Sequence, residues 1–336
     1  MKKIVLTFVF LLFTSHAQAH HSRANFDLEK EFELTGKIVD YSWRNPHVFV
    51  EIEVVHNTGE RKVWLVEAHS VTAMKDKGWS KSTLAEGSTV TIVGHLDKNR
   101  NKALMLMDYI KKPGEDPLYA FKRSPKNKDE IEPSIDFSGT WELDFTRFNR
   151  KEAGGGPPDW AYTEKATEQA KTFSVNDNPE LRCEKIGVPK NVIYPYGVNI
   201  VRDGDVIRID KEHLEESRVI YLDPKLVSDK ELPPSYGGTS IGRFESERHL
   251  VVETSNFLPT PWGNANGIDS SEQKKVTENY YLAEDGLSIE ISYTIEDPVF
   301  LTAPATVTGG YFKSKNREFE KVGCDQRAAS RHLEVE

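Results

Sequence analysis

The stretch Tyr41-Ser42-Trp43-Arg44-Asn45-Pro46-His47-Val48-Phe49-Val50-Glu51 restricts the folding of this chain more than any other. It reads as strand on both sides of Asn45-Pro46. Proline has no amide N–H for a sheet ladder and turns the residue before it away from the helical region, so the chain must break there and resume at His47. Past the break the alternation is clean. Val48, Val50, Ile52 and Val54 fall on one face, and His47, Phe49, Glu51 and Glu53 on the other. That is the period of a half-buried β-strand.

Residues 20–112 repeat the pattern. Leu34–Trp43 is expected as a first strand, with Gly36 a bulge or bend inside it. His47–Val55 is the second, and a hairpin turn at Asn57-Thr58-Gly59-Glu60 leads to the third, Val63–His69. A short helix or turn follows around Val71–Gly78, then strands at Ser88–Leu96 and Ala103–Ile110. Five short antiparallel strands with a helical connection after the third suggest an OB-like barrel.

Lys112-Pro113-Gly114-Glu115-Asp116-Pro117 ends this pattern, and residues 113–135 read as a polar linker in which Leu118, Tyr119 and Phe121 are apolar exceptions. A second β domain is expected over residues 136–326, followed by a polar tail, 327–336. Gly139-Thr140-Trp141 resembles the Gly-x-Trp of the first strand of lipocalin-like barrels. Trp160–Phe173 is expected as one inserted helix, begun by Pro158 and Asp159. Strands follow at Val198–Arg202, Val206–His213, Ser217–Leu222, Ser240–Phe244, His249–Asn256, Lys274–Leu282, Leu287–Ile295, Thr306–Lys313 and Phe319–Gly323, with hairpins at Asp203-Gly204 and Glu284-Asp285-Gly286. The class is therefore all-β, with an antiparallel lipocalin-like barrel or sandwich after the OB-like barrel.

The length of 336 residues suits two domains, and 38% hydrophobic residues suffice for two cores. The net charge of −9 argues against nucleic acid as a partner. Residues 1–19 read as a secretory signal: Lys2-Lys3, an apolar run from Ile4 to Phe13 too short to span a bilayer, and Ala17-Gln18-Ala19 before the cut, with Ser15-His16-Ala17 an alternative site. No other long apolar run follows, so the mature chain is expected to lack a transmembrane segment and to be periplasmic or secreted. In that oxidising setting the two cysteines, Cys183 and Cys324, are expected to pair; two buried thiols are the alternative.

His20-His21-Ser22 near Phe26-Asp27, Thr35-Gly36-Lys37-Ile38-Val39, Asn45-Pro46-His47, Trp64-Leu65-Val66-Glu67 and Gly78-Trp79 resemble a family of uncharacterised secreted bacterial proteins. These open their mature chain on His-His-Ser and carry Asn-Pro-His in an OB-like domain. Leu181-Arg182-Cys183, Gly187-Val188-Pro189, Ser240–Phe244 and Leu250–Thr254 are similar to the second half of the same proteins. The chain departs from the pattern at Ala68-His69-Ser70, where a Ser-Pro-Asn-like turn is expected. The resemblance implies fold and address, and no reaction.

Two candidate sites emerge. Cleavage after Ala19 gives His20 a free α-amine beside its imidazole, and His21, His47 and His69 can add nitrogen; such a set suits copper, then zinc. Glu67 shares a strand face with His69. The competing reading has a solvated terminal His pair, and His47 and Asn45 serving the bend. In the second domain, Arg218, Glu253 and Glu278 each share a strand face with aliphatic residues, and Tyr280 lies on the face of Glu278. If all point inward, two carboxylates and an arginine line a ligand site, or serve as catalytic acid, base and oxyanion holder. A buried ion pair is the alternative. The function expected first is a binding protein, with a transition metal or partner on the first domain and a small apolar molecule in the second. A non-covalent lyase or isomerase comes next, and a structural role with an envelope protein as partner third. No Gly-x-Ser-x-Gly motif points to covalent hydrolysis.

Overall fold

The structure, a computed structural model, describes residues 25–56, 58–120, 131–144, 147, 156–193, 196–228, 232–314 and 319–330. The expected signal, His20 and His21, Phe121 and the terminal residues 331–336 lie outside these. Among the described residues no helix is long and apolar enough to cross a membrane.

The first unit is a five-stranded barrel. Strands β1 (Phe32–Ser42), β2 (Phe49–Val55), β3 (Arg61–Glu67), β4 (Thr89–Leu96) and β5 (Leu104–Lys111) follow in order, with α1 (Val71–Lys75) after β3. The sheet runs β3-β2-β1-β4-β5 and closes through a parallel β3–β5 pairing, the OB arrangement. Val48, Val50 and Ile52 are fully buried, as their alternation requires. The bulge in β1 falls between Ile38 and Asp40 rather than at Gly36. Gly36 instead lets β2 approach: a Cβ there would sit 2.5 Å from the Glu53 carbonyl oxygen. Part of the expected linker joins this unit, because β6 (Leu118–Tyr119) pairs with β5, and the Tyr119 carbonyl accepts a bond from the buried Trp79 indole at 2.9 Å.

The second unit is a closed barrel of nine strands. Its strands are β7 (Gly139–Leu143), β8 (Val198–Asp203), β9 (Val206–Lys211), β10 (Ser217–Tyr221), β11 (Thr239–Ser246), β12 (His249–Ser255), β15 (Lys275–Leu282), β16 (Ser288–Glu296) and β17 (Ala305–Lys313); a small hairpin, β13 (Thr260–Ala265) and β14 (Ile268–Ser270), sits outside it. A ring with an odd number of strands cannot alternate direction all the way round, so one neighbouring pair must run parallel. That pair is β10–β11, joined only at Ile220–Ser240 and Tyr221–Ile241. A parallel pair needs a long crossover, here residues 222–238. The inserted helix α2 (Glu164–Lys171) is shorter than expected and is capped by Thr163, not by Pro158 or Asp159, through a bond from the Ala166 amide.

Phe319–Gly323 is not a strand. The segment runs back between the barrels and buries Val322 in the core of the first. The Asn45 amide donates to Gly323 O at 3.3 Å, and the Asp325 amide to Asn45 O at 3.1 Å. Cys324 is bonded to Cys183, closing a separation of 141 residues. The corner at Asn45-Pro46, which has a cis peptide bond, is thus where both units and the C-terminal segment meet. A second contact ties the units together: Thr72 donates to the fully buried Glu212, which also accepts from the Gly197 amide at 3.0 Å.

Candidate functional site

The inward face of the second barrel carries a polar row that crosses four neighbouring strands. Arg218, on β10, shares its parity with the buried Ile220. Its Nε donates to Ser240 Oγ on β11 at 2.9 Å and its Nη2 to Thr254 Oγ1 on β12 at 2.7 Å. Nη1 donates to Glu278 Oε1 on β15 at 3.0 Å, and Nη2 also donates to Glu278 Oε2, so the pair is bidentate. Tyr280 donates to Glu278 Oε1 at 2.7 Å. Glu278 is fully buried. Burial acts to lower the pKa of the guanidinium, but the Glu278 charge overrides this and holds it well above its ordinary value. Burial, then the Glu278 charge, raises that of the Tyr280 hydroxyl.

Glu253 does not join them. Val252 stands opposite Glu278 across the β12–β15 ladder, and Glu253 opposite Thr277, so Glu253 points out of the barrel. Its side chain is 61% exposed and accepts from Arg243 Nη1 at 2.6 Å. The expectation that two carboxylates converge inside is corrected to one. The misreading has a physical origin: Leu250-Val251-Val252 is apolar on both parities, so the alternation around Glu253 marks no inside. Glu253 is thus outside the barrel, and Glu278 is engaged by Arg218 and Tyr280.

Among the described residues the interior of the barrel is closely packed. Trp141, Tyr311, Tyr280 and the aliphatic residues of β8, β9, β15 and β16 pack its interior. The space left beside Arg218, Lys211 and Tyr311 is about 10 Å³, no more than one water needs. A larger space among the described residues lies at the seam between β10 and β11, which are paired at only two positions. There a cavity of about 370 Å³ opens, walled by Val219, Leu232, Pro233 and Tyr236, with Lys211 and Arg218 at its floor. Gly187 allows the wall to close: a Cβ there would meet the Tyr236 carbonyl oxygen at 2.0 Å.

Lys211 was not among the residues singled out from the sequence, yet the signal was present. On β9 it shares parity with Ile207 and Ile209, the same criterion that found Arg218, and all three are buried. Its Nζ donates to Asn191 O at 2.6 Å. Burial lowers its pKa to about 8, against the upward pull of the Glu216 charge; Arg218 lowers it further and Glu278 raises it. The Asn191 and Glu216 contributions carried no local sequence signal.

In the first barrel, His47 Nδ1 lies 2.9 Å from Glu67 Oε1 and 3.3 Å from Ala68 O. His69 Nδ1 accepts from the Ser70 amide at 2.8 Å, which places it at the start of α1. Asn45 Oδ1 accepts from the Val71 amide at 3.1 Å. These contacts are those of a braced corner. Among the described residues no three His, Cys, Asp or Glu side chains are grouped to hold a metal, and His20 and His21 lie outside them. Glu67 contacts His47.

No curated protein matches the chain. Residues 9–105, which cover the first barrel up to the start of β5, match a family of unknown function, DUF6152, and that is what this part of the chain is similar to.

Proposed function

We propose that the chain is an exported small-molecule-binding protein that holds its ligand at the β10–β11 seam of the second barrel. The observation that carries this reading is the cavity of about 370 Å³ with apolar walls and two cationic side chains on its floor. It falls within the size range of small-molecule sites, and apolar and polar side chains share its lining. Export rests on the charged and apolar start of the chain, on Ala17-Gln18-Ala19 and on the likeness of the His-His-Ser and Asn-Pro-His motifs to secreted proteins. The transition-metal role of the first barrel enters the same reading as a proposal for His20, His21 and His47, and depends on His20 being the mature terminus.

The test uses a neutral fluorescent probe, N-phenyl-1-naphthylamine, on the full mature chain. Gly237 lines the cavity, and among the described residues a Cβ there would meet only Ser235 Oγ, at 4.0 Å. The Gly237→Phe variant should therefore fill the cavity without disturbing the barrel. Saturable binding by the native protein, weakened about tenfold or more in the variant, is expected. Absence of saturable binding to the native protein sinks the reading, and equal binding by both proteins moves the ligand away from the seam. A purely structural envelope role predicts the first of these failures.

A further inference from the structure

We propose that the seam cavity takes an organic monoanion, a carboxylate on an apolar body, and that Lys211 holds the carboxylate. This rests on the reading of the cavity as a binding site. Lys211 is 7% exposed, and among the described residues its ammonium makes one hydrogen bond, to Asn191 O. Two of its three N–H groups are left for something else. The charged groups that face it are Glu216, Arg218 and Glu278, and the hydroxyl-bearing Tyr280 and Tyr311 line the small space beside it. Glu278 is taken up by its bidentate contact with Arg218. Glu216 accepts from Asn191 Nδ2 at 3.0 Å. Lys185 stands at the rim and is exposed.

The charges decide the class. Lys185, Lys211 and Arg218 line the cavity against Glu216, and Arg218 is neutralised from behind by Glu278. One positive charge remains, in a chain whose net charge is −9. A buried ammonium with a single carbonyl partner is costly, and a ligand carboxylate supplies a charge-assisted bond that removes the cost. A dianion would overshoot the single surplus charge, and a cation would meet Lys211 directly. The walls formed by Val219, Leu232, Pro233 and Tyr236 provide apolar area that a bare inorganic anion cannot use.

The experiment displaces N-phenyl-1-naphthylamine with decanoate and, separately, with decanol, from the full mature chain. Decanoate should bind at least about tenfold more tightly than decanol at pH 7. Lys211→Met should bring the two affinities together, and Lys211→Arg should keep them apart, with circular dichroism confirming that both variants are folded. Independently of any variant, the preference of the native protein for decanoate should decline as the pH passes 8, where Lys211 loses its proton, while decanol binding should not change. Equal affinity for decanoate and decanol in the native protein, a preference that survives in Lys211→Met, or a preference flat from pH 7 to about 10 overturns the proposal. If the neutral probe binds but decanoate has no advantage, only the ligand class fails. If the probe itself does not bind, the cavity reading fails with it.

Discussion

Replacing Arg218 by Met removes the positive half of a buried pair and leaves Glu278, fully buried, with the Tyr280 hydroxyl as its remaining contact from the row. Ser240 and Thr254 lose a donor but keep each other at 3.1 Å, so their loss is small. The dominant cost is the stranded carboxylate. Breaking a buried pair in this way costs about 3–5 kcal/mol. Glu278→Gln should cost less, about 1–3 kcal/mol, because the stranded charge is then Arg218, which borders the seam cavity and can be reached by water there. The double variant Arg218→Met, Glu278→Gln carries no charge and keeps an acceptor for Tyr280. It should recover about 2 kcal/mol or more of the Arg218→Met loss. The assay is urea unfolding at pH 7, followed by the near-ultraviolet signal of the second barrel, with all four proteins disulfide-bonded. A result in which Arg218→Met lies within about 0.5 kcal/mol of the native protein, as surface changes do, would refute the reasoning. So would a double variant less stable than the two single losses added together.

Further outcomes are expected elsewhere in the molecule. Glu253→Gln should change stability by less than about 0.5 kcal/mol in the same unfolding assay, since its carboxylate is outside the barrel with an exposed partner. Reduction of Cys183–Cys324 opens a separation of 141 residues and should cost about 4–5 kcal/mol on the chain-entropy model; because Val322 packs into the first barrel, calorimetry should find both barrels melting lower, and an unchanged first barrel would count against the docked segment. Lys274, buried over Phe257 and bonded to Val188 O and Gly263 O, has its pKa lowered by burial to about 7. The unfolded chain therefore binds more protons than the folded one between about pH 7 and 10.4, the lysine contribution to stability rises with pH across that window, and Lys274→Met should flatten the rise. If His20 is the mature terminus, copper(II) should bind it more tightly than a form carrying one extra residue ahead of it; equal affinity in a calorimetric titration argues against a chelating terminus.

Local periodicity made much of this fold legible. The alternation Val48, Val50, Ile52, Val54 predicts which face of β2 is buried, and the Asn45-Pro46 break predicts the corner after β1, because both depend on the pleat and on proline's missing N–H, which any strand carries with it. Asp203-Gly204 and Asp285-Gly286 mark hairpins for the same local reason. The pairing of Cys183 with Cys324 was also within reach, since no third cysteine competes. The inward placement of Glu278 followed from parity, because Val276, Tyr280 and Leu282 share its face while Lys275, Thr277 and Asn279 fill the other; on β10 Val219 and Tyr221 make both faces apolar, and the bonds of Arg218 to Ser240, Thr254 and Glu278 fix its direction.

What the tertiary structure alone decided depends on partners far away in the chain. Leu250-Val251-Val252 is apolar on both parities, and only the pairing of Val252 with Glu278 turns Glu253 to solvent. Phe319–Gly323 looks like a strand because it carries strand-forming residues, but the ladder is already closed by β7 and β9, so the segment spends Val322 on the first barrel instead. The seam cavity is the clearest case. No strand is unusual in itself; it is the count of nine around a closed ring that forces one parallel pair, and only two residues on each side of that pair are joined. Strand direction around a ring is a property of the whole circuit, so the opening it leaves, and the exposure of Lys211 to that opening, come into being only when the last strand closes.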